Sequence, residues 1–144
     1  MIILDTNVIS ELMRPAPERA VIEWFGTHAI SAMATTAINI AEIRHGLARL
    51  PNGRRRDDLE SRFRSLAARG FQTRIFDFDA AAAEIFGELA AGRGRAGIPL
   101  RGFDGLVAAI AKSNATPIAT RNVQDFAGCG IELINPWETP RSRD

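Results

Sequence analysis

The sequence has few of the features that define several large classes of protein. Cys129 is the only cysteine, so an intramolecular disulfide and a thiolate metal cluster are excluded. It lies between two glycines, where we expect an inert loop residue. The apolar runs are far too short to cross a bilayer, and Asp5, Asn7 and Glu11 interrupt the first of them before it reaches the length of a signal peptide. We therefore expect a cytoplasmic protein with no membrane partner.

A strong net charge is also missing. The formal net charge of +1 is not that of a strongly basic domain built to bind a polyanion. Lys112 is the only lysine among 18 basic residues, and the guanidinium group of arginine holds phosphates in a planar fork. This bias suits an RNA ligand, but a GC-rich coding sequence is the simpler explanation. Any nucleic-acid signal must therefore be local.

The length and the composition are typical of a globular protein. With 144 residues, of which 46% are hydrophobic and 24% charged, the chain differs from disordered and fibrous proteins. A chain of this length buries roughly 70% of the surface that its unfolded form exposes. We expect a single domain over residues 1–144.

Short apolar segments alternate with longer segments of helical spacing. The pattern predicts strands at residues 2–4, 33–37, 73–76, 116–120 and 131–134. It predicts helices at residues 5–13, 17–25, 38–50, 54–69, about 80–91 and 103–112, with a glycine-rich loop at 92–102. Strand followed by helix, repeated along the chain, indicates an α/β protein with a parallel sheet covered on both faces.

Three acidic residues stand at the junctions of these predicted elements. Asp5 directly follows the first strand, Glu42 lies in the first turn of the helix after the second strand, and Asp104 opens a later helix. In a parallel sheet the strand ends and the starts of the following helices share one edge. We therefore expect Asp5 and Glu42 at the same edge, joined by Asp104 if its helix enters from that side.

Each acid alone also has a purely structural explanation. Asn39 and Glu42 have the spacing of a capping box, and Asp104 suits a helix N-terminus. Asp5 is harder to explain in this way, because a carboxylate at the end of a buried strand loses hydration unless it gains a partner.

A shared cation explains all three acids together. Carboxylates held close to one another repel, and they do not all ionise without a positive charge between them. Mg²⁺ and Mn²⁺ prefer oxygen ligands, whereas the sequence offers no Cys/His set for structural zinc. Such an ion polarises a phosphoryl oxygen and lowers the pKa of a bound water. The pattern thus predicts metal-assisted phosphodiester hydrolysis.

Five segments resemble the successive motifs of the PIN-domain ribonucleases, and the last of them is similar to the VapC/FitB-like branch in particular. They run in order along the chain: ILDTNVIS at residues 3–10, IAEIRHG at 40–46, FDGLVAA at 103–109, ATRNVQDF at 119–126 and INPW at 134–137.

This resemblance implies a three-layer α/β/α sandwich, a homodimer and an endoribonuclease dependent on Mg²⁺ or Mn²⁺. It also implies that the protein is the toxin of a type II toxin–antitoxin pair. A small cognate antitoxin would neutralise the toxin by filling its active site, and the pair would associate with DNA indirectly, through the antitoxin. Asp5, Glu42 and Asp104 become the catalytic, metal-binding acids. Supporting hydrogen bonds around the metal ligands are assigned to Thr6, Asn7 and Thr120.

The sequence departs from the family pattern at one position. Relatives often carry a fourth acid in the segment 120–126, where this chain has Asn122 at the nearer position and its carboxylate further along, at Asp125. Asn122 can orient a metal-bound water but adds no charge. We therefore expect one tightly held ion.

Other functions remain open from the sequence. A phosphatase with Asp5 as nucleophile would favour a second acid two residues later, where the chain has Asn7. A catalytically inactive domain that binds RNA or an antitoxin is a further alternative. The spacing G-x-G-x-x-G at residues 92–97 follows a predicted helix instead of the strand that a nucleotide fingerprint requires. A single Glu-x-x-His pair at Glu42 and His45 is insufficient for a di-iron bundle.

Overall fold

The computed structural model describes residues 1–138, so residues 139–144 of the predicted domain lie outside the described residues. Within 1–138 the strands are β1 Ile2–Leu4, β2 Met33–Thr36, β3 Ile75–Phe76, β4 Ile118–Ala119 and β5 Leu133–Ile134. The helices are α1 Thr6–Leu12, α2 Arg19–Gly26, α3 Ala37–Arg49, α4 Arg54–Arg69, α5 Ala80–Arg95 and α6 Asp104–Ser113, with short 3₁₀ turns at Ile30–Ala32 and Val123–Phe126.

The five strands form one parallel sheet in the order β3-β2-β1-β4-β5. β1 lies at the centre, where Ile3 is in register with Ala34 of β2 and with Ile118 of β4. Because all strands run in the same direction, their carboxyl ends meet at one edge of the sheet, as the alternation of strands and helices predicted.

The side chains of β1 alternate between two hydrophobic cores, as a strand period of two requires. Ile2 and Leu4 pack in the core formed mainly with α1 to α4. Ile3 packs on the opposite face with α5 and α6, where its core partners include Val107 and Ile118. The sheet therefore lies between two helical layers, which confirms the predicted three-layer α/β/α sandwich.

Helix α5 is longer than predicted, because it continues to Arg95 through a segment that we expected to be a loop. Arg93 explains the difference. It is only 8% exposed, and its guanidinium donates hydrogen bonds to the carbonyl oxygens of Ile98, at 2.6 Å, and Ala127. These hydrogen bonds attach the last turn of α5 to the backbone at Ile98 and Ala127. They outweigh the low helix propensity of Gly92 and Gly94.

Four of the predicted strands are shorter in the structure, and β2 ends one residue early, at Thr36. β3, β4 and β5 each contain two residues, and each pairs with its neighbour over two positions. The predicted outer residues lie beyond the paired strands; one of them is Thr116, whose hydroxyl donates to the carbonyl oxygen of Asn114 at 2.9 Å. Among the helices of residues 1–138, none is long and apolar enough to span a membrane.

Candidate functional site

Asp5 lies at the end of the central strand and serves as the N-cap of α1, where its Oδ1 accepts a hydrogen bond from the N–H of Thr6 at 2.9 Å. Because the chain turns directly from β1 into α1, the carboxylate stays at the edge of the sheet and is only 6% exposed. A buried carboxylate requires hydrogen-bond donors around it.

Three side chains donate hydrogen bonds to the Asp5 carboxylate. The hydroxyl of Thr120 donates to Oδ2 at 2.8 Å, the amide of Asn39 donates to Oδ1 at 2.9 Å, and the amide of Asn7 approaches Oδ2 at 3.4 Å. Burial raises the pKa of Asp5 above its usual range, although the bonds from Thr120, Thr6 and Asn39 oppose the shift. The contacts fix the orientation of both carboxylate oxygens.

Asn39 has a role that the sequence pattern concealed. A capping box formed by Asn39 and Glu42 was the structural alternative for Glu42, but the N-cap is Thr36, whose hydroxyl accepts a hydrogen bond from the N–H of Asn39 at 3.2 Å. The capping-box alternative is therefore wrong. Helix α3 begins one residue earlier than predicted, which buries Asn39 completely and places its amide against Asp5. The signal that could have found it is the threonine at the end of a buried strand, a favourable N-cap.

Glu42 lies in the second turn of α3 and faces the same edge as Asp5. The hydroxyl of Thr6 donates to Glu42 Oε1 at 3.2 Å and accepts a hydrogen bond from the Asn39 amide at 3.1 Å. Thr6 thus connects two acids that are far apart in the sequence. Burial and the negative charge of Asp5 raise the pKa of Glu42.

Asp104 is the first residue of α6 and joins the other acids from the opposite layer of the sandwich. Burial and the negative charges of Asp5, Asp125 and Glu42 raise the pKa of Asp104 to about 6, with Arg93 acting in the other direction. The charges therefore lie close enough to Asp104 to disfavour its ionisation.

The turn after β4 is connected to the acids through Asn7. The amide of Asn7 donates to the hydroxyl of Thr120 at 3.1 Å, while its carbonyl oxygen accepts the backbone N–H of Arg121 at 3.1 Å. The N–H of Asn122 also donates to the Thr120 hydroxyl at 3.1 Å. Thr120, Asn7 and Asp5 consequently form one hydrogen-bonded cluster.

Asp5, Glu42, Asp104, Thr6, Asn7 and Asn122 line one open cleft with a volume of about 800 Å³. Asp125 is exposed on a 3₁₀ turn and instead lines a neighbouring cavity of about 230 Å³, which it shares with Asp104. Thr120 is fully buried behind the cleft. The remaining wall of the cleft combines apolar side chains and arginines with Ser10, Glu11 and Gly46; the apolar residues and arginines are Met13, Ile43, Leu47, Leu50, Leu59, Trp137, Arg14, Arg55 and Arg121.

The chemistry of this donor set fits a hard divalent cation. Carboxylate oxygens surround the acid end of the cleft. Burial, together with the neighbouring negative charges, raises the pKa of Asp104 to about 6, and a nearby positive charge would favour the ionised form. Within residues 1–138, no three His, Cys, Asp or Glu side chains are yet arranged to hold an ion together. A cation would therefore draw the carboxylates closer than the structure has them.

Comparisons with known proteins agree with the fold and the motifs. The PIN domain family matches residues 2–127. The chain is 38% identical to the VapC ribonuclease Y4jK of Sinorhizobium fredii over 96% of this chain and 99% of the relative. It is 35% identical to toxin FitB of Neisseria gonorrhoeae, with 95% and 99% covered. A solved structure of FitAB bound to a DNA fragment has a TM-score of 0.90 and 34% identity, with 99% of each chain covered. The chain therefore belongs to the PIN-domain family, in the group that contains the VapC and FitB toxins.

Proposed function

We propose that this protein is an endoribonuclease toxin that hydrolyses phosphodiester bonds of RNA with the help of a divalent cation. The observation that supports this most directly is the position of Asp5, Glu42 and Asp104. They come from three separate elements and line the same cleft. The relatives named VapC ribonuclease and toxin FitB agree with this activity.

Asp5, Glu42 and Asp104 would hold a Mg²⁺ or Mn²⁺ ion. When bound, such an ion neutralises charge on the phosphoryl oxygens and lowers the pKa of water. Asn122 adds no charge, and Asp125 lines the adjacent cavity. Glu11, the fourth acid on the cleft, is paired with Arg14, and the three remaining carboxylates favour one ion over two.

The side chains around Asp5 hold its carboxylate in a fixed orientation. Thr120 and Asn39 each donate to a different oxygen of Asp5, and Thr6 holds Glu42 by a hydrogen bond. Groups that orient metal ligands in this way raise metal affinity and activity. The same bonds count against Asp5 as the nucleophile of a phosphatase, because both of its oxygens already accept donors in a buried position.

The cleft also suits a protein inhibitor. Its wall beyond the acids includes the apolar side chains of Met13, Leu47 and Leu50 beside the arginines, and such apolar side chains suit a protein segment better than the charged backbone of a polynucleotide. We propose that a small cognate antitoxin fills this cleft, that the toxin forms a homodimer within the heteromeric complex, and that the complex associates with DNA through the antitoxin.

The activity is tested by incubating the purified protein with single-stranded RNA in Mg²⁺, in Mn²⁺ and in EDTA. We expect cleavage by the wild type with either ion, none in EDTA, and a loss of at least about a hundredfold in Asp5→Asn and Asp104→Asn, since metal catalysis supplies several kcal/mol. Glu88→Gln, which changes an exposed acid of α5 outside the cleft, is the control.

Three results would contradict this proposal in different ways. Cleavage that persists in EDTA and in both acid variants would exclude the metal-dependent mechanism. Equal RNA affinity of the wild type and the acid variants, with no cleavage at any Mg²⁺ or Mn²⁺ concentration, would favour a catalytically inactive binding domain. A trapped phosphoryl group on Asp5 would favour the phosphatase.

A further inference from the structure

Arg121 occupies an unusual position among the arginines of the cleft. Its backbone N–H donates a hydrogen bond to Asn7 Oδ1 at 3.1 Å. Arg121 is therefore attached through its backbone to the hydrogen-bonded cluster around Asp5. Its guanidinium carbon lies 5.1 Å from the ring centre of Trp137. Arg121 is exposed on the wall of the cleft next to the three acids.

The position of Arg121 over Trp137 leaves its hydrogen-bond donors available. The attraction between a guanidinium and the face of an indole ring is electrostatic and uses none of the N–H groups in hydrogen bonds to oxygen. Among residues 1–138, no side-chain or backbone oxygen accepts a hydrogen bond from this guanidinium, and no carboxylate forms an ion pair with it. Arg14, on the same cleft, is by contrast paired with Glu11 at 3.2 Å.

We infer that Arg121, whose guanidinium lies over the Trp137 ring, binds a phosphate of the RNA strand next to the phosphate that is hydrolysed. The inference rests on the proposed function and assigns a substrate-binding residue to it. A planar guanidinium with free in-plane donors matches the oxygens of a phosphate. Hydrogen bonds through Asn7 and Thr120 join the backbone of Arg121 to Asp5, so a phosphate bound by Arg121 would set the register of the RNA strand at the acids.

Trp137 provides a way to separate stacking from the fold. Its indole N–H is buried and has no acceptor within residues 1–138. Trp137→Phe therefore retains an aromatic face and removes an unpaired polar group, a change that is nearly neutral for stability. Trp137→Leu removes the aromatic face on which Arg121 rests.

The test measures binding of a mixed-sequence single-stranded RNA oligonucleotide by fluorescence anisotropy at several salt concentrations. Asp5→Asn serves as the parent, so that the RNA stays intact. We expect Arg121→Ala to weaken binding by roughly tenfold or more, as for the loss of one charge-assisted hydrogen bond. The slope of log affinity against log salt should fall by about 0.7, the value for one phosphate of a single strand.

Three further variants in the same parent complete the experiment. Arg121→Lys should keep most of the salt slope but bind more weakly, because an ammonium group cannot form the planar fork. Trp137→Leu should weaken binding, and Trp137→Phe should resemble the parent. Lys112→Ala removes one positive charge at the far end of α6 and should bind like the parent.

The inference is overturned if Arg121→Ala binds within about twofold of the parent with an unchanged slope, or if Lys112→Ala has the same effect. A failure of the proposed function is seen separately. In that case the unmodified protein does not cleave RNA in Mg²⁺ or Mn²⁺, whatever the Arg121 variants bind.

Discussion

At the scale of single residues, Asp5 and Asp104 respond to different surroundings. Asp5 is buried among donors from Thr6, Thr120 and Asn39. Asp104 lies at the start of a helix, where burial and neighbouring negative charges act on it and push its pKa to about 6. Without a cation, ionisation of Asp104 therefore lowers the stability of the folded state.

This arrangement predicts a pH dependence of stability in EDTA. Asp104 is protonated in both states below its ordinary pKa of 3.8, and the folded chain retains the proton up to about 6. As pH rises through this window the unfolded chain releases its proton first, so folding stability falls. We expect the wild type to lose roughly 1 to 2 kcal/mol relative to Asp104→Asn, less than the full shift because the carboxyl is partly exposed.

Urea unfolding of the two proteins at about pH 4 and about pH 7 checks this prediction, since the variant lacks the titrating group. Asp5 and Glu42 remain in both proteins, and their raised pKa values therefore contribute to both curves. A difference between wild type and variant that stays constant over this range would contradict the electrostatic coupling of Asp104 to its neighbours.

At the scale of elements, the position of Asp104 depends on how α5 and α6 pack. Gly105 is buried beside Phe86 of α5, and a Cβ atom at Gly105 would lie 2.8 Å from the Phe86 ring. Gly87, in the middle of α5, is exposed and has no atom within 4 Å of such a Cβ. Both glycines lie in helices, but only Gly87 has room for a side chain.

Alanine substitutions at these glycines should have opposite effects. Gly105→Ala should lower the free energy of unfolding by about 1 to 3 kcal/mol through overpacking and reduce cleavage, because it displaces the start of α6. Gly87→Ala should raise the free energy of unfolding by roughly 0.5 to 1 kcal/mol through better helix propensity. Urea unfolding measures both, and changes of the same sign would contradict the packing described for α6.

Elements differ in how well the sequence predicts them. The alternation of strands and helices predicted the parallel sheet, because hydrophobic periodicity is a local property. Asn39 escaped prediction because two overlapping segments, one starting at Thr36 and one at Asn39, both have favourable N-caps, and only packing selects between them. Arg93 escaped because its contacts with Ile98 and Ala127 are tertiary, and they override a glycine-rich composition.

At the scale of the whole molecule, the fold brings distant residues to one place. β1 at the centre of the sheet supplies Asp5, and the helical layers on its two faces supply Glu42 from α3 and Asp104 from α6. The cleft continues from these acids along an apolar wall that carries Arg14, Arg55 and Arg121. The net charge of +1 therefore gives no sign of this cleft, in which acids lie at one end and arginines lie along the wall.

The central claim is that the acids from these three elements form one cation site. Calorimetric titration of the protein with Mn²⁺ tests it most directly, with Glu88→Gln as the control for loss of an exposed acid. We predict one ion per chain in the wild type and in the control, and an affinity lowered more than about tenfold in Asp5→Asn, since even groups that only orient metal ligands change affinity by this amount. Two ions per chain, or unchanged affinity in Asp5→Asn that circular dichroism shows to be folded, would contradict it.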